Sequence, residues 1–161
     1  MPTTRGAKDA CDLLDADHKA AKKMFKEYEE LSESKARGAT QRKKDLAQQI
    51  CHELTVHAQI EEEIFYPAVR EAIREHDLMA EAQVEHQTAK NLIAQIEGMG
   101  EPDEMFDAKV KVLGEYIDHH VKEERNEIFP KARAARKLDL VAMRDELEAR
   151  KEELMSEMGI A

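Results

Sequence analysis

The stretch His57-Ala58-Gln59-Ile60-Glu61-Glu62-Glu63-Ile64-Phe65-Tyr66-Pro67 returns further along the chain as His120-Val121-Lys122-Glu123-Glu124-Arg125-Asn126-Glu127-Ile128-Phe129-Pro130. Both copies read H-x3-E-x5-P. Each follows a shorter repeated element, Asp17-His18-Lys19-Ala20-Ala21-Lys22 and Glu85-His86-Gln87-Thr88-Ala89-Lys90, that reads [DE]-H-x2-A-K. The order is short, long, short, long, as expected of two helix hairpins of like construction. Residues four apart on a helix share a face, so His57 with Glu61, and His120 with Glu124, point at a common spot.

The apolar residues around these motifs recur at helical spacing. Leu14, Ala21, Phe25 and Tyr28 form one stripe; Leu46, Ile50, Leu54, Phe65 and Ala68 a second; Ala82, Ala89, Ile93 and Ile96 a third; Phe106, Val110, Leu113, Ile117 and Ile128 a fourth. Breakers separate them at 34–40, at 74–77 and, most strongly, at 97–103, where two glycines and a proline fall together. Segments near 7–33, 40–75, 77–97 and 103–130 with short connections predict an all-α, up-down-up-down four-helix bundle. Pro67 and Pro130 are expected to end or bend their helices. A charged segment near 138–158, with Leu138, Val141, Leu147, Leu154 and Met158, predicts a further helix outside the bundle or against a partner. The expected organisation is a bundle over 7–135 and a C-terminal helix over 136–161.

Each of the four stripes runs into polar residues that can hold a metal: His18, then His57 and Glu61, then His86, then His120 and Glu124. Burying such groups is costly unless they are paired or bound to an ion. A single inward histidine is usually a satisfied core residue, but six such residues in register across four helices point to a metal centre. Glutamates can bridge two ions about 3.5–4 Å apart. Imidazole and carboxylate without thiolate favour iron, manganese or zinc. Ferritin-like sites carry Glu-x-x-His, and none of the 7 histidines here has Glu three residues before it.

The doubled H-x3-E-x5-P element, each copy preceded by an inward histidine, resembles the hemerythrin-like, or HHE cation-binding, domains over residues 10–130. That resemblance implies two oxo- or hydroxo-bridged iron ions. His18 and His57 would be terminal ligands of one, His86 and His120 of the other, with Glu61 and Glu124 bridging. It also implies a small oxidant, O2, H2O2 or NO, as the partner at an open position. The chain departs from the oxygen carriers of the family where they place a fifth histidine, four residues before His86: here stands Ala82. Glu81, Glu85 and His119 are the candidates to replace it. Reaction with the oxidant is therefore expected rather than reversible carriage. The alternatives are a metal-dependent sensor or interaction module acting through the C-terminal helix, by a protein partner or self-association, and a structural zinc bundle.

Bulk properties set outer bounds. A formal net charge of -10 argues against nucleic acid as a partner, since phosphate backbones require a basic face. No apolar run reaches the roughly 18 residues that a membrane span requires. The N-terminal MPTTRGAKDACDLL lacks a secretory core. Two cysteines, Cys11 and Cys51, make no disulfide framework, and a cytoplasmic protein is expected.

Overall fold

The computed structural model describes residues 8–159. Residues 1–7 of the N-terminal stretch read for a secretory signal lie outside that range, as do residue 7 of the expected first segment and residues 160 and 161 of the expected C-terminal helix. The described residues contain helices and no strand. Helix α1 spans Ala10–Glu33 and α2 Ala39–Ile60. A π-turn, Glu61–Phe65, joins α2 to α3, Tyr66–Ile73. Helix α4 spans His76–Glu97 and α5 Glu104–Glu123. A second π-turn, Glu124–Ile128, joins α5 to α6, Phe129–Ala134. Helix α7, Leu140–Glu157, completes the order. Because the backbone stays helical through both π-turns, α2–α3 and α5–α6 are continuous rods that pack with α1 and α4 as the bundle.

Local chemistry sets the ends. Asp9 caps α1 in a reciprocal box with Asp12. Asp103 accepts from the Phe106 amide at 2.9 Å and Asp139 from the Ala142 amide at 3.0 Å. Each satisfies amides that a helix start leaves without partners. The turn from α3 to α4 is tighter than the sequence suggests: Arg74 takes the left-handed conformation, φ 53°, usually left to glycine.

The prolines do not end their helices. Pro67 and Pro130 lack the amide that an α-helical turn would use, and their rings would clash with the carbonyl four residues back. Each helix instead widens just before its proline. The Tyr66 amide reaches back to the Glu61 carbonyl and the Phe129 amide to that of Glu124, five residues rather than four. The fourth segment consequently runs to Ala134 rather than stopping near 130.

Two apolar clusters form the core, one at each end of the bundle. One gathers Leu14, Val56, Ile60, Phe65, Val69, Ile128 and Phe129; the other Tyr28, Ile50, Leu54, Ile93, Phe106 and Leu113. Each fully buried large side chain contributes about 1.5–3 kcal/mol. Helix α7 does not stand apart. Leu140, Met143, Leu147 and Leu154 are buried in the first cluster, against α1 and α2. Its inner face is this run of leucines and Met143; Val141 is only half-buried. The six polar residues singled out in the sequence are buried, with Glu61 and Glu124 0% exposed.

Candidate metal centre

The two π-turns begin at Glu61 and Glu124, so the same backbone distortion positions both carboxylates. Glu61 Oε1 lies 3.1 Å from His57 Nε2 and 3.1 Å from His86 Nε2. Glu124 Oε1 lies 3.0 Å from His18 Nε2 and 3.2 Å from His120 Nε2. The His18 and His57 rings sit 4.9 Å apart, as do the rings of His86 and His120. The structure thus brings all six residues together as two histidine pairs, with each glutamate in contact with one member of each pair. Two overlapping groups of potential metal donors result: His18, His57, Glu61 and Glu124, and Glu61, His86 and His120.

Every one of these histidines has a carboxylate at its other nitrogen. His18 Nδ1 meets Asp15 at 3.2 Å and His57 Nδ1 meets Asp17 at 3.0 Å; His86 Nδ1 meets Glu62 at 2.9 Å and His120 Nδ1 meets Glu85 at 2.7 Å. A carboxylate accepts, so Nδ1 carries the proton and the Nε2 lone pair turns inward. Such partners orient metal-binding imidazoles and raise their basicity. The repeated short motif explains half of this arrangement. Its acidic residue does not serve the histidine beside it but the one on the next rod: Asp17 holds His57, and Glu85 holds His120. Glu62 is half-buried and accepts from both His86 and Lys90.

The centre fits an ion. Buried His18 Nε2, His57 Nε2, both oxygens of Glu61 and Glu124 Oε1 have no hydrogen-bond partner, a condition that costs about 1–3 kcal/mol per group. Of these atoms, His18 Nε2 and Glu124 Oε1 lie 3.0 Å apart and His57 Nε2 and Glu61 Oε1 3.1 Å apart, yet neither pair forms a hydrogen bond. Two donors held about 2.1 Å from one ion at right angles are about 3.0 Å apart. Without a cation, the site attracts protons. Burial opposes charge on His57, yet the neighbouring Glu61 and Asp17 carboxylates push its pKa up to about 10. His86 and His120 are likewise raised against burial, by Glu61 and Glu124 respectively. Glu124 is buried, and the His120 charge holds its carboxyl well below the usual range.

One neighbour was not foreseen. Tyr66, in the first turn of α3, places its buried hydroxyl 3.1 Å from Glu124 Oε2, 3.1 Å from His120 Nε2 and 3.3 Å from His86 Nε2. On a regular helix, five residues put it about 140° around from Glu61; the π-turn swings it back. Of the proposed replacements for a fifth histidine, Glu85 is engaged with His120, while Glu81 and His119 are exposed. Ala82 is wholly buried. His52 is half-buried and His76 opens α4 in solvent. Cys11 and Cys51 are buried and unpaired, and burial pushes both thiols up to about 12, which leaves them unreactive.

Next to the histidines lies a cavity of about 90 Å³ lined by all four of them together with Ala21, Met24, Leu54, Ala89, Ile93 and Ile117. Lys151 and Met155 of α7 reach its edge. Lys151 Nζ lies 2.6 Å from Asp17, whose other oxygen holds His57.

The model of the Hemerythrin HHE cation binding domain matches residues 9–132, and the chain belongs to that family. It is a metal-binding, hemerythrin-like helical protein. A DNA nickase of Nostoc sp. (strain PCC 7120 / SAG 25.82 / UTEX 2576) is 29% identical over 118 residues, 73% of this chain and 32% of that protein. The chain therefore spans about a third of that relative's length. A crystal structure of a Hemerythrin HHE cation binding domain-containing protein from Mycobacterium kansasii shares the fold. It has a TM-score of 0.74 and 20% identity, covering 93% of this chain and 89% of that one. Among the described residues no helix is long and apolar enough to cross a membrane.

Proposed function

We propose that this is a non-haem diiron protein that binds or reacts with O2, peroxide or NO. The observation behind it is the set of buried, partnerless nitrogens and carboxylate oxygens that converge between the two histidine pairs. In this reading His18 and His57 would hold one iron ion and His86 and His120 the other, while Glu61 and Glu124 would offer carboxylate oxygens to both, beside an oxo or hydroxo group. The choice of iron rests on the family resemblance. Bound iron would supply redox electrons and an open coordination position for the small molecule. The chain's own contribution is orientation and exclusion of water. Four carboxylates fix the imidazoles, and the small apolar cavity beside them suits an uncharged diatomic or peroxide. With Ala82 in place of a fifth histidine, reaction is favoured over reversible carriage. The proposal places the protein in the cytoplasm.

The test is metal content per chain, with optical spectra before and after dithionite and air. Two irons per chain and an oxo-bridge absorption that bleaches on reduction support the reading. Stoichiometric zinc without a chromophore, or no metal after reconstitution with ferrous iron, overturns it.

A second reading, signalling through α7 to a protein partner or a second copy, is favoured by the Lys151–Asp17–His57 connection. Partner capture that changes with metal or redox state is its test.

A further inference from the structure

The sides of the bundle are not closed equally. Helix α7 packs over the side between α1 and α2. Between α1 and α5 stands a groove of about 750 Å³, walled by those two helices and by Arg125 of the second π-turn. Lys22, Glu29, Lys111 and Glu115 are exposed on its rim. Its floor is apolar, with Phe25, Val110, Ile117 and Val121, and its inner end reaches His18.

Two features place the meeting of groove and metal centre. His18, Ile117 and Val121 line both the groove and the cavity beside the histidines, so one layer of side chains separates the two spaces. A turn further from the histidines the seam is shut. Gly114 stands there in the interior of α5, where glycine is poorly suited to a helix. A β-carbon at that position would lie 3.0 Å from Phe25 Cδ1 and 3.2 Å from Phe25 Cγ. The missing side chain lets the Phe25 ring close the seam. Ion pairs stand at two other edges of the cavity, Lys151 with Asp17 beside α7 and Lys90 with Glu62 beside α4. The wall towards the groove is hydrocarbon. Ile117 in it is half-buried, and side-chain rotation is a far faster motion than the shift of a helix.

We propose that the small oxidant enters by the α1–α5 groove, and that Ile117 and Val121, standing between the groove and the centre, select what passes. The proposal rests on the diiron reading above. An uncharged molecule such as O2, hydrogen peroxide or NO crosses a hydrocarbon wall at little cost, whereas an anion such as azide must shed its water there. Selection is thus by charge as well as by size.

The experiment compares the full-length wild type with Ile117→Ala, Ile117→Phe and two controls. Ile93→Ala enlarges the same cavity from α4, and Met155→Ala trims its α7 edge; neither residue lines the groove. The first readout is stopped-flow association of NO with the iron-loaded, reduced protein. Ile117→Ala should be several-fold faster than wild type and Ile117→Phe slower, with both controls at the wild-type rate. Azide association with the oxidised protein should gain more from Ile117→Ala than NO does, because a thinner wall admits water. An Ile117→Ala rate equal to wild type, or a control that rises as much, overturns the route; an azide gain no larger than that of NO overturns the selection by charge. The second readout is methyl NMR under dissolved O2, on protein without iron. Paramagnetic relaxation should run from Val110 through Ile117 and Val121 to Leu54 and Ile93. Enhancement at Ile93 and Met155 that spares Ile117 and Val121 overturns the route. If the wild type takes up no iron the diiron reading falls, and the O2 map decides the route by itself.

Discussion

His57 carries much of the argument at the scale of a single residue, because its two nitrogens face different neighbours. Nδ1 is held by Asp17 and Nε2 is turned towards Glu61. Replacing Asp17 with Asn keeps the shape and removes the charge that fixes the imidazole. We expect metal affinity to fall about 10–100-fold, read by chelator competition. His57→Ala should lower metal content far more than His52→Ala, since His52 reaches only Glu97, at 3.9 Å; equal losses in the two would sink the ligand assignment. The pKa directions give a pH dependence with a definite sign. In the metal-free protein His57 rises from 6.5 to about 10, with burial opposing and Glu61 and Asp17 favouring the charge. Its contribution to stability is therefore complete below pH 6.5 and is lost as pH rises through about 10. A metal requires the unprotonated Nε2, so uptake releases protons and its affinity rises over the same window. Thermal melts of metal-free protein should show falling stability from pH 6.5 to 10, and the metal-loaded protein should not follow that trend.

Among the elements, α7 departs most from expectation. The sequence places it outside the bundle or against a partner, whereas Leu147 is 0% exposed and sits in the same cluster as Leu14 and Ile60. Leu147→Ala should cost about 2–5 kcal/mol in urea unfolding of the full chain; a loss under ~0.5 kcal/mol would mean that α7 is not docked in solution. Arg150 reaches Glu63 at 2.8 Å and Lys151 reaches Asp17 at 2.6 Å, so the helix touches both the first π-turn and the carboxylate behind His57. Lys151→Met should consequently disturb the optical spectrum or metal affinity of the centre while leaving the helical content unchanged, a result that circular dichroism and metal titration separate. The π-turns themselves were hidden from a reading based on regular helices. A period of 3.6 residues carries Glu61 and Glu124 correctly inward but sends Tyr66 and Phe129 to the wrong side, because the extra residue in each turn appears only when the proline ring meets the preceding carbonyl.

Seen whole, the molecule is a polar layer between two apolar clusters, and the polar layer is the weak point when no cation fills it. The carboxylates Glu61 and Glu124 are wholly buried, and uncompensated buried charge is strongly destabilising. Removing metal should lower the melting temperature. At free metal 1,000-fold above the dissociation constant, binding contributes about 4 kcal/mol of stability. A melt that is indifferent to chelation would show that ion pairing alone satisfies the layer.

From its own sequence the chain declared the helices, their pairing as two hairpins and the six buried polar residues that the structure brings together. Each of those properties is local or periodic. Apolar spacing marks the faces, breakers mark the turns, and the doubled histidine–glutamate spacing marks the polar layer. Tertiary structure alone decided which carboxylate stands behind which imidazole, that α7 closes over one end of the core, and that a tyrosine hydroxyl enters one half of the centre while a phenyl ring faces the other. Except for Asp15 behind His18 on the same helix, these contacts join residues on different helices, as Asp17 with His57 or Glu85 with His120. They follow from the crossing of helices and from one extra residue in a turn, neither of which a helical period records.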